Sequence, residues 1–400
     1  MANQPTQPTQ PTRRQMLRST AAGLLAAPAA RHALAAPAAA AGKAPSLPVA
    51  LQRCENYEPK RLAERLDKAI DLIGGIGSLV RSKTVTVKLN LTGGPSRKLG
   101  GLPAHRTYHV HPNFVAALCH RLHRDGAKRI VLVESYYDRR PPETVMAAGG
   151  WDIAMIKSAG GHTVTFEDTR NRGAFPKYSR LPVPWGGFIF PSYELNQRYE
   201  KTDVYFTLAK LKDHANAGIT VACKNSFGIA PSALYGSDAP NENTTTARGK
   251  IFHEGSRKVP AGVPDELDAT TPRHWSFRVP RITADLVGAR PIDFCLIDGI
   301  ETNRGGEGPW IKGVQPLTPK LLMAGRNPVC TDAVCAVVMG YNPRADNRTF
   351  PFPGDNHLNL LARVGVGTND PSAIEVRGLS VADARFPFNP DRRVIGTPIF

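Results

Sequence analysis

The segment Thr84-Val85-Thr86-Val87-Lys88-Leu89-Asn90 and the later segment Arg129-Ile130-Val131-Leu132-Val133-Glu134 decide the fold class. Both are rich in β-branched residues and end in polar side chains, which predicts two short strands. A helical stripe of apolar residues lies between them: Phe114, Val115, Leu118 and Leu122. Pro112 precedes this stripe and Gly126 follows it, as is typical of the two ends of a helix. A strand, a helix and a strand in this order predict a parallel pair.

The alternation of helices and strands continues along the chain. Helical spacing of apolar residues predicts further helices at about 59–74, 152–159, 282–287, 331–339 and 358–364. Apolar runs predict further strands at 163–166, 204–209, 294–297, 321–324 and 374–376. We therefore predict a single α/β domain over residues 43–400. Its mostly parallel, twisted sheet would be covered by helices on both faces, with a long polar surface excursion or lid near 230–280.

The first residues carry the pattern of an export signal. Arg13 and Arg14 precede a weakly apolar stretch, Ala21–Ala30, and small residues follow it. This pattern predicts a twin-arginine signal peptide and linker over residues 1–42, with cleavage somewhere between Ala30 and Gly42. A disordered basic tail is one alternative. A membrane anchor is another, although the apolar run is shorter than the roughly 20 residues that span a bilayer.

The predicted signal fixes the expected location and the export partners. We expect a periplasmic or secreted protein that is handled by the twin-arginine export machinery and a signal peptidase, with no stable membrane span. The chain has 51 Lys and Arg against 34 Asp and Glu, a formal net charge of +17. This excess favours a small anionic ligand. The basic residues are scattered rather than clustered in a stripe, which argues against nucleic acid.

The spacing of the cysteines and the absence of known catalytic motifs exclude several classes of site. The six cysteines show no Cys-x-x-Cys spacing, so we expect neither an iron–sulfur cluster nor a structural zinc site. One disulfide remains open in an oxidising compartment. The sequence also lacks the motifs of serine hydrolases, zinc peptidases and dinucleotide enzymes.

Polar side chains at the ends of the predicted strands are the candidates for a site. Ligands of open α/β sheets bind outside the carboxyl ends of the strands. The residues at or just after these ends are Lys88, Asn90, Glu134, Lys210, Lys212, His214 and Asp298. Lys224, Asn225 and Asp332 follow on adjoining segments. Each of them has the alternative role of a solvated or hydrogen-bonded residue at the rim of the sheet.

These segments resemble the family known as domain of unknown function 362. The stretch Lys210–His214, with Gly218-Ile219-Thr220 and Lys224–Gly228, is similar to that family's K-x-K-x-H, G-[VI]-T and K-N-x-x-G signature. Further similar stretches are Lys88-Leu89-Asn90, Val133-Glu134-Ser135, Ile297–Ile300 and Gly306–Pro309. The resemblance runs over about 83–378. It implies an α/β fold and a shared site, but the family has no defined activity.

The chain departs from the family pattern in two places. The family often carries Asp-Pro-x-Ala-x-Asp, where this chain reads Asn327-Pro328-Val329-Cys330-Thr331-Asp332, so Asp332 matches and Asn327 does not. Many relatives carry ferredoxin-like cysteine motifs, which this chain lacks.

We assign the candidate residues to three roles. The catalytic candidates are His214, Lys224 and Glu134, which could move protons, and a buried lysine could also act as a Schiff-base nucleophile. The candidates for holding the substrate are Lys88, Asn90, Lys210, Lys212 and Asn225. A divalent metal is a possible cofactor, and its candidate ligands are His214, Asp298 and Glu307. His105, His109 and His111 are a weaker metal cluster, because His111 also suits the start of a helix.

Three functions stay open on the sequence alone. The first is an exported enzyme that acts on a small anionic substrate at a Lys/His/Asp/Glu cleft, with or without a metal. The alternative is a non-catalytic extracytoplasmic binding protein for an acidic ligand or cofactor. The third is a structural protein of the cell envelope, in which these residues only hold the sheet together.

Overall fold

The computed structural model describes residues 43–345 and 347–390. The predicted signal peptide and linker, residues 1–42, lie outside the described residues. No helix in the described part of the chain is both long and apolar enough to cross a membrane.

The described residues form fourteen strands, β1 to β14. In chain order they are Val49–Arg53, Thr84–Lys88, Arg129–Glu134, Val164–Asp168, Tyr178–Pro182, Ser192–Asn196, Val204–Lys210, Lys212–His214, Gly218–Thr220, Phe294–Gly299, Thr302–Arg304, Gln315–Leu317, Leu321–Gly325 and Val376–Gly378.

Twelve α-helices, α1 to α12, occur in the same residues. In chain order they are Pro59–Leu72, Gly77–Val80, Pro112–Arg124, Pro142–Ala148, Ile153–Ala159, Gln197–Lys201, Ala222–Asn225, Ser232–Tyr235, Trp275–Ala289, Pro328–Val338, His357–Arg363 and Val381–Ala384. Short 3-10 turns lie at Ala104–Arg106, Ser226–Ile229 and Pro371–Ala373, and a π-helical turn lies at Gly249–His253.

Eight strands form one sheet in the order β14-β1-β13-β10-β7-β2-β3-β4. The five strands β10, β7, β2, β3 and β4 are parallel to one another, and β1 is parallel to β14. Within this sheet only β13 runs against the others, antiparallel to β1 and β10. The predicted mostly parallel α/β sheet is confirmed.

Helices cover both faces of the sheet, because side chains of successive strand residues point to opposite sides. In β10, Phe294 and Leu296 belong to the apolar cluster that includes residues of α1, α3 and α5. Cys295 and Ile297 belong to the cluster on the other face, with residues of α9, α10 and α11. We call these the α1/α3 face and the α9/α10 face. Each side chain at a strand end therefore belongs to one face or the other.

The sequence predicted α1 and α3 well because their ends carry clear signals. Pro59 starts α1, and the Glu58 carboxylate accepts hydrogen bonds from the backbone N–H groups of Lys60 and Arg61. In α3, His111 occupies the N-cap position before Pro112, and its Nδ1 accepts the N–H of Asn113 at 3.1 Å. The expectation that His111 starts a helix is confirmed.

Several elements differ in detail from the sequence prediction, and strand β1 and the segment 230–280 are two examples. Strand β1 was not predicted, because its five residues follow directly on an Ala/Pro-rich stretch. The segment 230–280 is less of a surface excursion than predicted, since Ile251 and Phe252 are fully buried in the α9/α10 face. Helix α9 also begins earlier than predicted, at Trp275, and contains Pro280.

Candidate functional site

A small cavity of about 60 Å³, which we call the inner pocket, lies at the carboxyl ends of the central strands. Its lining residues are Asn90, Thr92, Glu134, Tyr137, Lys212, His214, Thr220, Lys224, Asn225, Phe227, Gly228, Arg248 and Glu307. Seven of them are predicted site residues: Asn90, Glu134, Lys212, His214, Lys224, Asn225 and Glu307. One water needs about 10–15 Å³ on this measure, so the pocket has room for a small acidic group.

Lys88 and Glu134 form a buried ion pair beneath this pocket. Lys88 Nζ donates to Glu134 Oε2 at 2.8 Å, and both side chains are almost fully buried. The carboxylate also accepts the backbone N–H groups of Leu91 and Ser135, at 3.1 and 3.0 Å. Burial lowers the pKa of Lys88, and the Glu134 charge opposes that shift. With its oxygens held by three donors, Glu134 is a positioned anion that keeps Lys88 in place.

Asn225 joins the helix α7 to the ends of two strands. Its Oδ1 accepts the Asn90 side-chain amide at 3.1 Å, and its Nδ2 donates to Thr207 Oγ1 at 2.8 Å. Asn90 Oδ1 is buried without a hydrogen-bond partner among the described residues. Because unsatisfied buried oxygens are costly, this atom is available to a donor on a ligand or a water in the pocket.

Gly228 explains how Lys88 can approach the inner pocket so closely. A Cβ atom at residue 228 would lie 2.7 Å from Lys88 Nζ and 3.1 Å from Glu134 Oε1. Only glycine leaves the space that these two side chains occupy.

Lys224 is a cation within the pocket wall that lacks a carboxylate partner. It is only 7% exposed, and its Nζ lies 3.8 Å from the centroid of the Phe227 ring. No carboxylate of the described residues forms an ion pair with it. Burial lowers the pKa of Lys224 to about 7, against the attraction of Glu307. Its amine is therefore shared between the charged and the neutral form at neutral pH.

His214 and Glu307 come together, as predicted, on the wall of the inner pocket. His214 Nδ1 lies 3.6 Å from Glu307 Oε2 and accepts the backbone N–H of Asn216 at 3.1 Å. Burial, and then the nearby charge of Lys224, lowers the pKa of His214 well below its usual value. The ring is therefore neutral, and because Nδ1 accepts a hydrogen bond, its proton is on Nε2.

Glu307 is held from two sides, which fixes the loop of residues 303–309 at the pocket. Its Oε2 accepts the N–H of Ala215 at 3.0 Å, and its Oε1 accepts Trp310 Nε1–H at 3.1 Å. Lys212 Nζ donates to the Glu307 carbonyl at 3.0 Å and to the Tyr108 carbonyl at 2.7 Å. Burial lowers the pKa of Lys212 to about 7.

Lys210 and Asp298 lie apart from the inner pocket, on the α1/α3 face. Lys210 Nζ donates to Asp298 Oδ2 at 2.8 Å, and both side chains are fully buried. Tyr57 O–H donates to Asp298 Oδ1 at 2.7 Å, and the backbone N–H of His111 donates to Oδ2 at 3.1 Å. The predicted single cleft thus divides into two clusters, because neighbouring strand-end side chains alternate between the faces of the sheet.

The predicted metal ligands do not fit a metal site. The Asp298 oxygens are bonded to Lys210, Tyr57 and His111, whereas His214 and Glu307 line the inner pocket. The described residues contain no group of three or more His, Cys, Asp or Glu side chains that could hold a metal ion. His105, His109 and His111 likewise form no such group, and burial lowers the pKa of His109 to about 3.

Asp332 positions the helix that carries Lys224. Its two carboxylate oxygens accept the N–H groups of Ala222 and Cys223, each at 2.9 Å, in the first turn of α7. Burial raises the pKa of Asp332 to about 7. The matching aspartate therefore supports the pocket without lining it. All six cysteines are free and buried.

Arg248 is a pocket residue that the sequence analysis missed. It is 4% exposed, and its Nε and Nη1 donate to the Ala230 carbonyl at 2.6 Å and to the Tyr137 hydroxyl at 3.1 Å. Its Nη2 is buried and has no hydrogen-bond partner in the part of the chain that the structure describes. Arg248 lies in the segment predicted to be a polar excursion, where one arginine among many polar residues gives no signal of its own.

A larger cavity of about 960 Å³, the outer groove, adjoins the inner pocket. The residues that line both cavities are Thr92, Tyr137, His214, Lys224, Phe227, Arg248 and Glu307. The outer walls carry aromatic and apolar side chains, among them Trp275, Trp310, Ile311, Phe350 and Phe352. Exposed Arg97 and Arg348 also belong to these walls. The arrangement is a largely apolar groove that ends in a polar, basic pocket, as small-molecule sites commonly do.

Comparison with known proteins identifies a family. A family model described as domain of unknown function (DUF362) matches residues 85–337, a range that contains every lining residue of the inner pocket. No curated protein is significantly similar to the chain. Among solved structures, the chain is similar to a protein from Thermotoga maritima, at 12% identity and a TM-score of 0.36. The alignment covers 72% of this chain and 61% of that protein's length.

Proposed function

The chain belongs to the family of domain of unknown function 362, and we propose that it is an enzyme that acts on a small anionic substrate in the inner pocket. One observation carries this proposal: the Lys224 amine sits in the pocket wall, with no carboxylate partner among the described residues. A desolvated lysine with a lowered pKa is an effective general base, because part of it is neutral at neutral pH.

The other pocket residues suit the binding of an anion. Arg248 and protonated Lys212 are buried cations at the pocket, and neutral His214 has an Nε2–H that can donate to a ligand. With the anionic group held by Arg248 and Lys212, the fraction of Lys224 that is neutral can accept a proton from another part of the substrate. Alternatively, it can attack a carbonyl carbon and form an imine with loss of water. Asp298 takes no part in these steps, since its carboxylate is bonded to Lys210, Tyr57 and the backbone of His111.

The titration and reactivity of Lys224 test this role. We would label the protein with acetic anhydride over pH 5–10 and follow the Lys224 peptide by mass spectrometry, with exposed Lys60 as the reference in the same digest. An inflection near pH 7 at Lys224, and protection by a bound carboxylate, support the proposal. A Lys224 amine that stays unreactive below pH 9 would contradict it.

Turnover then separates an enzyme from a binding protein. Small carboxylates, phosphates and sulfonates would be incubated with the wild-type protein and with Lys224→Met, and products followed by NMR. Turnover that is lost in the variant supports the enzyme. Binding with no turnover favours the alternative, an extracytoplasmic binding protein, for which Arg248 with its unpartnered Nη2 is the specific support.

We also propose that the protein is exported and works in the periplasm or outside the cell. The support is the pair Arg13 and Arg14 ahead of the apolar stretch Ala21–Ala30. The test compares the full chain with its Arg13→Lys, Arg14→Lys variant in a bacterial host. Recovery of a shortened wild-type protein outside the cytoplasm, with the variant retained inside, is the expected result. Equal distribution of both proteins would contradict export by this route.

A further inference from the structure

The outer groove has the dimensions and surface of a site for the apolar part of a ligand. Its volume of about 960 Å³ falls at the upper end of the roughly 300–1,000 Å³ of small-molecule sites. The inner pocket, at about 60 Å³, has space only for a small polar group. A ligand that fills both cavities must therefore have one compact polar end and a larger apolar body.

Arg248 marks where the charged end of such a ligand would bind. Its guanidinium is fixed by Ala230 and Tyr137. No described residue accepts a hydrogen bond from its Nη2, although Arg248 is only 4% exposed. A buried guanidinium N–H without an acceptor is costly, and a carboxylate or phosphate oxygen is the acceptor that it binds best. Lys224 lines the same two cavities.

Trp310 is a part of the groove wall that its neighbours hold in position. Its Nε1–H is bonded to Glu307, and its ring packs against Tyr108 with the centroids 5.6 Å apart. A Cβ atom at Gly93 or Gly308 would lie 2.2 or 2.4 Å from the ring, so two glycines make room for it. A fixed aromatic wall next to a basic pocket suits a planar or bulky apolar group.

We propose that the ligand is an amphipathic anion whose acidic group binds between Arg248 and Lys224 and whose aromatic or aliphatic body lies in the outer groove against Trp310 and Phe350. This inference rests on the proposed function, since it names the class of substrate that the inner pocket accepts. Charge complementarity selects the acid, and the apolar walls select the body. Exposed Arg97 and Arg348 add positive charge to the groove, which favours the approach of an anion.

Three probes that differ in one property each test the inference by titration calorimetry. They are 2-naphthoate, acetate, which has the charge without the body, and 2-naphthylmethanol, which has the body without the charge. Burial of one naphthyl group is expected to make 2-naphthoate bind at least about tenfold more tightly than acetate. The neutral alcohol should bind at least about tenfold more weakly than 2-naphthoate.

Variants then show which residues bind the acidic group of the probe and which bind its apolar body. Arg248→Lys keeps a charge but loses the fixed Nη2, and should weaken 2-naphthoate about tenfold. Phe350→Ala should weaken 2-naphthoate but leave acetate unchanged, because it alters only the groove. The matched control is Lys258→Met, which removes an exposed charge outside both cavities and should change neither affinity. Thermal melting of each variant verifies that it is folded.

The outcomes separate this inference from the proposed function. If acetate and 2-naphthoate bind equally and both depend on Arg248, the anion site stands and the amphipathic ligand is wrong. If 2-naphthylmethanol binds as tightly as 2-naphthoate, the acid does not contribute and the inference is also wrong. If neither anion binds and Lys224 labelling shows no inflection near pH 7, the proposed function itself fails.

Discussion

The Nζ atom of Lys224 lies 3.8 Å from the centroid of the Phe227 ring. A cation over an aromatic face gains about 0.5–2 kcal/mol, which offsets only part of the cost of burying an ammonium group. The rest of this cost lowers the stability of the folded protein. Active sites commonly carry such costs, because the residue is kept for what it does rather than for stability.

Replacement of Lys224 by Met should therefore stabilise the protein. The pKa of Lys224 is lower in the folded chain, so folding of the wild-type protein releases a proton between about pH 7 and the value of an ordinary lysine. Wild-type stability should accordingly rise over that range, and Lys224→Met should remove this rise. We expect a gain of roughly 1–3 kcal/mol at pH 7 by urea unfolding. Exposed Lys60→Met is the control, and a destabilised Lys224→Met would contradict the prediction.

Replacing both Lys88 and Glu134 should destabilise the protein less than replacing only one of them. Lys88→Ala leaves the Glu134 carboxylate with two backbone donors and no countercharge, which should cost about 3–5 kcal/mol. The double variant Lys88→Met, Glu134→Gln removes both charges but keeps a side-chain carbonyl oxygen for the buried N–H groups of Leu91 and Ser135, and should recover part of that loss. Urea unfolding of both single variants and the double variant measures the coupling. Additive losses would show that the two charges act independently.

Loss of Asp332 should loosen the helix that carries Lys224. Asp332→Ala leaves the N–H groups of Ala222 and Cys223 buried without acceptors, at an expected cost of about 2–4 kcal/mol. Because Lys224 follows directly on this turn, its amine should become more accessible and label faster with acetic anhydride at pH 7. Unchanged labelling in a folded variant would show that Asp332 does not position Lys224.

Anion binding should weaken as the pH rises through about 7. Burial lowers the pKa of Lys224 and of Lys212 to about 7, so both amines lose charge above that pH. His214 should not contribute between pH 6 and 8, because its pKa lies well below that range. The affinity for 2-naphthoate would be measured from pH 5.5 to 9. For each proton that is taken up on binding, it should fall by about tenfold per pH unit. Affinity that is constant over this range would contradict the assignment.

A side chain at residue 93 should displace Trp310. Gly93 has a φ of +73°, and its Cβ would overlap the indole ring. Gly93→Ala should therefore cost about 1–3 kcal/mol and shift the tryptophan fluorescence. Gly94→Ala is a matched control, since Gly94 has a similar φ of +80° but nothing within 4 Å of its Cβ. Equal fluorescence in both variants would show that Trp310 is not constrained by Gly93.

The sequence predicted the sheet well where strands are marked by local signals. Strand β2 at Thr84–Lys88 and strand β7 at Val204–Lys210 have β-branched and apolar runs that end in a lysine, and both were predicted within two residues. Strand β1 was missed because it has no signal apart from its pairing with β13 and β14, both far away in the sequence.

The site was predicted in part, for a reason that lies in the geometry of strands. Lys88 and Lys210 both follow the pattern of a strand end, which predicts that they lie at the same edge of the sheet. The pattern does not show on which face of the sheet each side chain lies. Lys210 and Asp298 were therefore grouped wrongly with the pocket residues. Arg248 was missed because its role depends on the folding of a long irregular segment onto the pocket, which no local pattern indicates.

The position of β1 between β13 and β14 also affects how the chain is made. Glu55, just after β1, pairs with Lys320, just before β13, across 265 residues of sequence. At the roughly 5–20 residues per second of synthesis, β1 waits about 13–53 s for its antiparallel neighbour. During that time its two hydrogen-bonding edges have no native partner and are open to pairing with strands of other chains.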